Sequence, residues 1–427
     1  MNKNVDWGRE AIAGITTFVT MAYIVVVNPA ILANPGTGMP FDGVLAATVL
    51  IAFTMSLFMG LYAKLPFAVA PGMGINAFFA FSLIIGRQIP WQTALGLVFW
   101  AGVLFVLVSV TPLREHIARA IPLNLRLASA AGIGLFLTFI GLKNAGLVMA
   151  DPVTFVKLGK ITPQTLVMML GMLLTIALMR KKNPFAFLAG IISITVSAAV
   201  LGWIEVPAKV FSAPDFNSVF LKLDIWGALQ LSLLPAILAV MFTDLFDSIS
   251  TFVGVSHATG LIDRRGEPAR LKQGLIVDAF ATLGAGLAGT SSGTAYVESA
   301  AGIEAGGRTG WTAVFTALCF LPCFFIAPLA ELVPTYATAP VLILVGAAMF
   351  RTVTDLELDK LEDLIPAFLT VLLIPLTFSI TQGVLWGLVT HSLLYCLVGR
   401  RREISLTLAV LSIVCLALLL IENGHWN

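Results

Sequence analysis

Apolar runs of about twenty residues recur along this 427-residue chain, each long enough to cross a hydrocarbon layer as a helix. That pattern excludes a soluble globular domain and makes the chain an all-α polytopic membrane protein. With 58% hydrophobic and 11% charged residues, there is no room for an extended soluble domain, and a net charge of +2 gives no sign of nucleic-acid binding. Cys319, Cys323, Cys396 and Cys415 all lie in apolar runs, which favours packing over disulfides or metal ligation. The first run, Ala11 to Leu32, is too long for a signal-peptide core and reads as a retained first span.

The runs divide into fourteen segments, followed by an apolar stretch at 405–421 that reads as a fifteenth crossing or an interfacial helix. Two segments are interrupted. The third, 67–85, opens Phe67-Ala-Val-Ala-Pro-Gly-Met-Gly-Ile-Asn76; the tenth, 291–305, follows Gly289 and Thr290 and runs Ser-Ser-Gly-Thr294 before turning helical. Each reads as a short extended stretch that leads into a half-helix. Irregular backbone at membrane depth survives only where protein buries it or a cavity receives it. Each is third in a set of seven, and seven is odd, so the second set enters the membrane with opposite polarity. The expectation is a 7+7 inverted-repeat transporter with its site beside the two half-helices. With the N-terminus in the cytoplasm, alternate loops place 19 of the 25 Lys and Arg residues inside, as the positive-inside bias requires.

Ionisable groups inside spans mark function by default. In the eighth segment Asp244, Asp247, Ser248 and Thr251 fall at helical spacing and are expected on one face. Asp244 reads as a functional acid and Asp247 as a second acid that acts with it or holds it in place. Glu298 is expected in the first turns of the tenth segment's half-helix, where free N–H groups and the helix dipole favour a carboxylate and burial opposes it. No Lys or Arg lies in the eighth or tenth span, so at least one acid is expected to bind a proton in some state. Asp278 reads as a structural or relay acid. Asn76 reads as the cap of its half-helix, as a ligand amide, or both. Thr16, Thr20 and Tyr23 share a face of the first span, and Tyr23 is able to bond or stack on a flat ligand. Phe78, Phe79 and Phe246 supply aromatic surface. The residues alone define a proton- or cation-coupled carrier of a small polar, neutral or cationic solute that uses no cofactor and no metal.

The stretches Gly14-Ile-Thr-Thr-Phe-Val-Thr-Met-Ala-Tyr-Ile24, Ala70-Pro-Gly-Met-Gly-Ile-Asn-Ala-Phe-Phe79, Thr243-Asp-Leu-Phe-Asp-Ser248 and Gly289 to Gly302 carry a resemblance to a known family. Together with Ala305-Gly-Gly-Arg-Thr-Gly310, they resemble the AzgA-like purine branch of the nucleobase transporters, in order and over nearly the whole length. The resemblance implies H+ symport of adenine, hypoxanthine or guanine by movement of a core domain (1–110 and 229–330) against a gate domain (111–228 and 331–403), with 404–427 appended. It implies Asp244 and Glu298 as main purine ligands and Asn76 as an orienting contact. Thr290, Ser291, Ser292, Tyr23 and Phe246 are expected around the base, and Asp247, Glu298 and Asp278 are expected to support or couple. The family's Gly-Thr after the second Asp is Ser250-Thr251 here, a change expected to alter close packing or pocket size. The implied setting is the cytoplasmic membrane, with a purine, H+ and lipid as partners and a homodimer left open. The alternatives are a same-fold carrier of uracil, xanthine or an anion, an intramembrane aspartyl enzyme, and a channel. The enzyme would need two acids sharing a proton, and no Gly-x-Gly-Asp motif is present.

Overall fold

Each expected crossing segment is present as a helical element in the computed structural model, which describes residues 5–111, 121–205, 207, 209–262, 268 and 270–423. Of the basic residues counted inside, Lys3, Arg114, Arg119, Arg264 and Arg265 lie outside the described residues. Among the described residues, eight helical stretches are long and apolar enough to cross a membrane on their own.

The first span is two helices, α1 (Trp7–Met21) and α2 (Ile24–Leu32), with the break at Ala22–Tyr23. Next come α3 (Phe41–Phe58), a three-residue strand β1 (Val69–Pro71), and α4 (Met73–Ala77), which continues as wider π turns over Phe78–Gly86. The half closes with α5 (Trp91–Val110), α6 (Leu123–Asn144), a hairpin of β2 (Val148–Asp151) and β3 (Phe155–Leu158), α7 (Pro163–Arg180) and α8 (Ala186–Val200). The second half repeats the plan: α9 (Leu234–Thr259), α10 (Leu271–Ala288), β4 (Gly293–Ala295), α11 (Ser299–Glu304) and α12 (Gly310–Phe320). After a short α13 (Ala327–Glu331) come α14 (Thr335–Phe350), α15 (Leu361–Thr377) and α16 (Ile380–Leu397). The 405–421 stretch is a helix, α17 (Leu406–Asn423), packed on α16 and α9.

Helix packing falls into two groups. The helices α1, α3 and α5 pack on α9 to α12, whereas α6 packs on α14 and α15, α7 on α8 and α14, and α15 on α16. The first group is joined at its centre by β1 and β4, which pair antiparallel in the register Val69↔Ala295, Ala70↔Thr294 and Pro71↔Gly293. The third segments of the two halves thus meet head to head, as inverted halves require. Close approach within this group depends on small residues. A Cβ on Gly302 would sit 2.0 Å from Thr17 Oγ1 and 2.5 Å from the Ala13 carbonyl, so α11 can lie against α1 only with glycine there.

One device of the first group has no counterpart in the sequence reading. Glu10, 4% exposed, reaches from α1 to the start of α12. It accepts from the backbone N–H of Arg308 (3.2 Å), Thr309 (3.2 Å) and Thr312 (3.1 Å), and from the Thr312 hydroxyl. These are donors that a helix start leaves unsatisfied, capped here by a carboxylate from another helix. Glu10→Ala is expected to cost roughly 3 kcal/mol, because a buried charged acceptor of several N–H groups is lost. Thermal unfolding in detergent would check this; an unchanged transition would show that water replaces Glu10 freely.

Candidate functional site

A two-stranded ribbon inside a membrane has two outer edges, and every N–H and C=O on them needs a partner. Between the strands, Gly72 N–H donates to the Ser292 carbonyl at 2.8 Å and Tyr296 N–H to the Ala68 carbonyl at 2.9 Å. On the outer edge of β1, Ser56 Oγ accepts from Val69 N–H (2.9 Å) and donates to the Val69 carbonyl (3.0 Å), while at the end of the pairing Ser299 Oγ accepts from Ala68 N–H (3.0 Å). On the outer edge of β4, Asp278 Oδ2 accepts from Ala295 N–H at 3.1 Å, and Thr282 Oγ1 lies 3.2 Å from the Gly293 carbonyl. Asp278 is fully buried on α10 and has a structural position.

The same ribbon gathers the other polar residues of the first group. Asp244, on α9 and fully buried, accepts from Ser292 Oγ at 2.6 Å and from the Thr282 hydroxyl. Ser248 lies 3.3 Å from Thr294 through their hydroxyls. Asn76 accepts from the Ser291 hydroxyl, and its Nδ2 has no partner among the described residues. Thr290 accepts from Asn28 Nδ2 at 2.9 Å, and the same nitrogen donates to Thr48 at 2.7 Å. The hydroxyls of Thr290, Ser291 and Ser292, expected around a ligand, are thus all engaged in holding the ribbon. Asn28 and Thr282 were not singled out from the sequence. Asn28 stands as a lone amide in Ile-Val-Val-Val-Asn-Pro-Ala, which was the available signal.

Three expectations are corrected. First, Asn76 does not cap: α4 begins after Gly72, and Asn76 is its fourth residue, with its side chain turned to Ser291. Secondly, Glu298 lies one residue before α11, and the first amides of that helix are not free. Ser299, Ala300 and Ala301 N–H donate to the carbonyls of Tyr296, Val297 and Glu298 at 3.0–3.1 Å, because the chain enters α11 through a tight turn. Thirdly, Asp244, Asp247, Ser248 and Thr251, expected on one face, are not equally buried. Asp244, Ser248 and Thr251 are buried, whereas Asp247 is half-buried, reaches the ribbon through a side-chain hydrogen bond with Thr294, and is flanked along α9 by exposed Ser250 and Gly254. A Cβ on Gly254 would meet nothing within 4 Å, so this flank of α9 borders open space. Ser250, in place of glycine, is therefore not at a close helix contact.

Glu298 is on the open side with Asp247. It is half-buried, next to Val297 at 59% exposure, and α11 packs on α9. The Tyr23 hydroxyl, at the break between α1 and α2, donates to Glu298. The Tyr23 ring lies edge-on to Phe187 of α8, with centroids 5.0 Å apart, and so bridges the two packing groups. Thr16 and Thr20 do not join it; their hydroxyls return to the backbone of α1 at Ile12 (2.8 Å) and Thr17 (2.8 Å). Phe246 is buried and stacks on Phe242. Among the described residues, no ion pair is made by Asp244, Asp247, Asp278 or Glu298.

Comparison with known proteins places this arrangement. The permease family Xan_ur_permease matches residues 8–385. The adenine permease AdeP of Escherichia coli is 38% identical over 97% of this chain and 93% of its own length. The guanine/hypoxanthine permease PbuO of Bacillus subtilis is 38% identical over 95% of each. Among solved structures, the transmembrane domain of the cyanobacterial bicarbonate transporter BicA superposes with a TM-score of 0.66 at 16% identity, covering 90% of this chain and 98% of that domain. That likeness concerns fold alone and carries the 7+7 inverted repeat. A family of permeases leaves no place for the enzyme alternative.

The edge position of Asp278 yields a direct test. Asp278→Asn keeps an acceptor for Ala295 N–H and is expected to unfold close to the parent; Asp278→Leu leaves that N–H buried and unpaired, at a cost of about 2 kcal/mol. Thermal unfolding of both variants checks this, and equal damage in both would mean that the charge itself is required.

Proposed function

The chain belongs to this permease family, and we propose that it carries purine nucleobases across the cytoplasmic membrane in symport with H+, its N-terminus in the cytoplasm. The observation that carries this reading is the pair of half-buried carboxylates, Asp247 and Glu298, on the open flank of a polar site held together by β1 and β4. A purine presents ring N–H donors on one edge and acceptors on another. Carboxylates accept the first, and the unpartnered Nδ2 of Asn76 is a donor for the second. The adenine permease and guanine/hypoxanthine permease named above support a purine over uracil, xanthine or an anion.

The roles of the two acids on α9 are exchanged relative to the sequence expectation. Asp247 contacts the base, and Asp244 acts as a scaffold that fixes Ser292 and Thr282. Arrival of a purine N–H at Glu298 competes with the Tyr23 hydroxyl, whose ring touches Phe187, so occupancy is felt where the two packing groups meet. Segments 1–4 and 8–11 act as the moving core and segments 5–7 and 12–14 as the gate, as the separate packing of these groups supports. An unpaired carboxylate is costly to carry through a low-dielectric interior, so a proton on one of the acids accompanies the loaded movement.

Labelled adenine, hypoxanthine, guanine and uracil, given to cells lacking their own nucleobase carriers, test this directly. Purine uptake that collapses with a protonophore is expected; absence of purine uptake by well-expressed protein would refute the cargo. Glu298→Gln is expected to abolish coupled uptake, and Asp247→Asn to weaken purine binding by about tenfold or more, since a hydrogen bond to a charged group is lost. Asp244→Leu is expected to lower the folded yield. Unchanged affinity in Asp247→Asn would remove Asp247 from the contact.

A further inference from the structure

The hairpin between α6 and α7 carries apolar surface that is largely exposed among the described residues. Its register is Val148↔Leu158, Met149↔Lys157, Ala150↔Val156 and Asp151↔Phe155. Side chains alternate across a strand, so one face is Val148, Ala150, Val156 and Leu158, all apolar. The other face carries Met149 and Phe155 together with the ion pair of Lys157 Nζ and Asp151 Oδ2 at 3.1 Å. The backbone N–H groups of Thr154 and Val153, with Lys157, hold the Asp151 carboxyl below the usual carboxylate range, so the pair stays charged. Leu158 is 78% exposed, and Val153 and Phe155 at the turn are 82% and 84% exposed. Phe155 has φ +63°, a left-handed conformation that is unfavourable for an aromatic residue, and its ring is exposed.

We propose that this hairpin lies in the boundary between lipid headgroups and acyl chains, on the membrane face opposite the N-terminus, and anchors the α6–α7 connection in the bilayer. The occupant of the apolar face is lipid because that face continues a surface already in the bilayer. Leu147 N–H donates to the Leu142 carbonyl at 3.0 Å and Gly159 N–H to the Leu147 carbonyl at 2.9 Å, which stitches the hairpin to the end of α6. Exposed apolar residues run on through Ile161 to Leu166, Leu170 and Leu173 along the spanning helix α7. Lys160 is exposed beside the apolar face and is placed for lipid phosphate, while the Lys157–Asp151 pair on the other face remains in water. The arrangement is the hairpin counterpart of an interfacial amphipathic helix and does not depend on the solute carried.

Nitroxide labels on Val156→Cys, Lys157→Cys and Leu158→Cys test it, with Cys319 and Cys396 changed to alanine and the remaining Cys323 and Cys415 buried. The protein is placed in vesicles of phosphatidylethanolamine and phosphatidylglycerol. The expected result alternates: positions 156 and 158 collide more with oxygen than with a water-soluble nickel chelate, and position 157 does the reverse. Greater nickel accessibility at all three would put the hairpin in water and overturn the proposal. Protection from both reagents at 156 and 158 that disappears on diluting the protein in the vesicles would also overturn it, because a second copy of the chain would then be the occupant.

Discussion

The structure depends on a backbone ribbon held at membrane depth. In water, β1 and β4 would be a marginal pair of three-residue strands. In a bilayer, an unpaired N–H or C=O costs several kcal/mol, so the ribbon exists only because side chains complete its edges. Ser56 does so for β1 and Asp278 and Thr282 for β4, while Ser299 closes the end of the pairing at Ala68. The hydroxyls of Ser56, Ser292 and Thr282 and the carboxylates of Asp244 and Asp278 are thus accounted for as ribbon chemistry before any ligand is considered.

That accounting separates the acids. Asp244 and Asp278 are buried with their donors and tie α9 and α10 to β4. Asp247 and Glu298 are left on the open flank, and the side-chain partner of Glu298 is a tyrosine hydroxyl that a ligand can displace. A site built this way is rigid where it must position groups and exchangeable where it must release them. Glu10 serves the same end from outside the site, since it fixes the turn between α11 and α12 to α1.

Much of this was legible in the sequence. Apolar run length set the crossings, and Gly/Pro interruption at matching positions set the two broken segments and the inverted halves. The acids stood out because charge is rare at membrane depth. The division between Asp244 and Asp247 was not legible. They differ by 60° around a helix, and only the position of β4, 50 residues downstream, decides which of the two is covered. Glu10 was hidden for a similar reason: its partners at 308–312 are distant in sequence. Asn76 read as a cap because capping residues and ligand amides share one chemistry; the helix start at Gly72, rather than composition, separates them.

The most direct measurement is a structure of the protein with a purine bound. The predicted result places the base against Glu298 and Asp247, with the Tyr23 hydroxyl released from Glu298 and Asp244 still bonded to Ser292 and Thr282. A base bonded to Asp244 with Ser292 displaced, or density away from α9 and α11, would contradict the assignment of scaffold and contact acids.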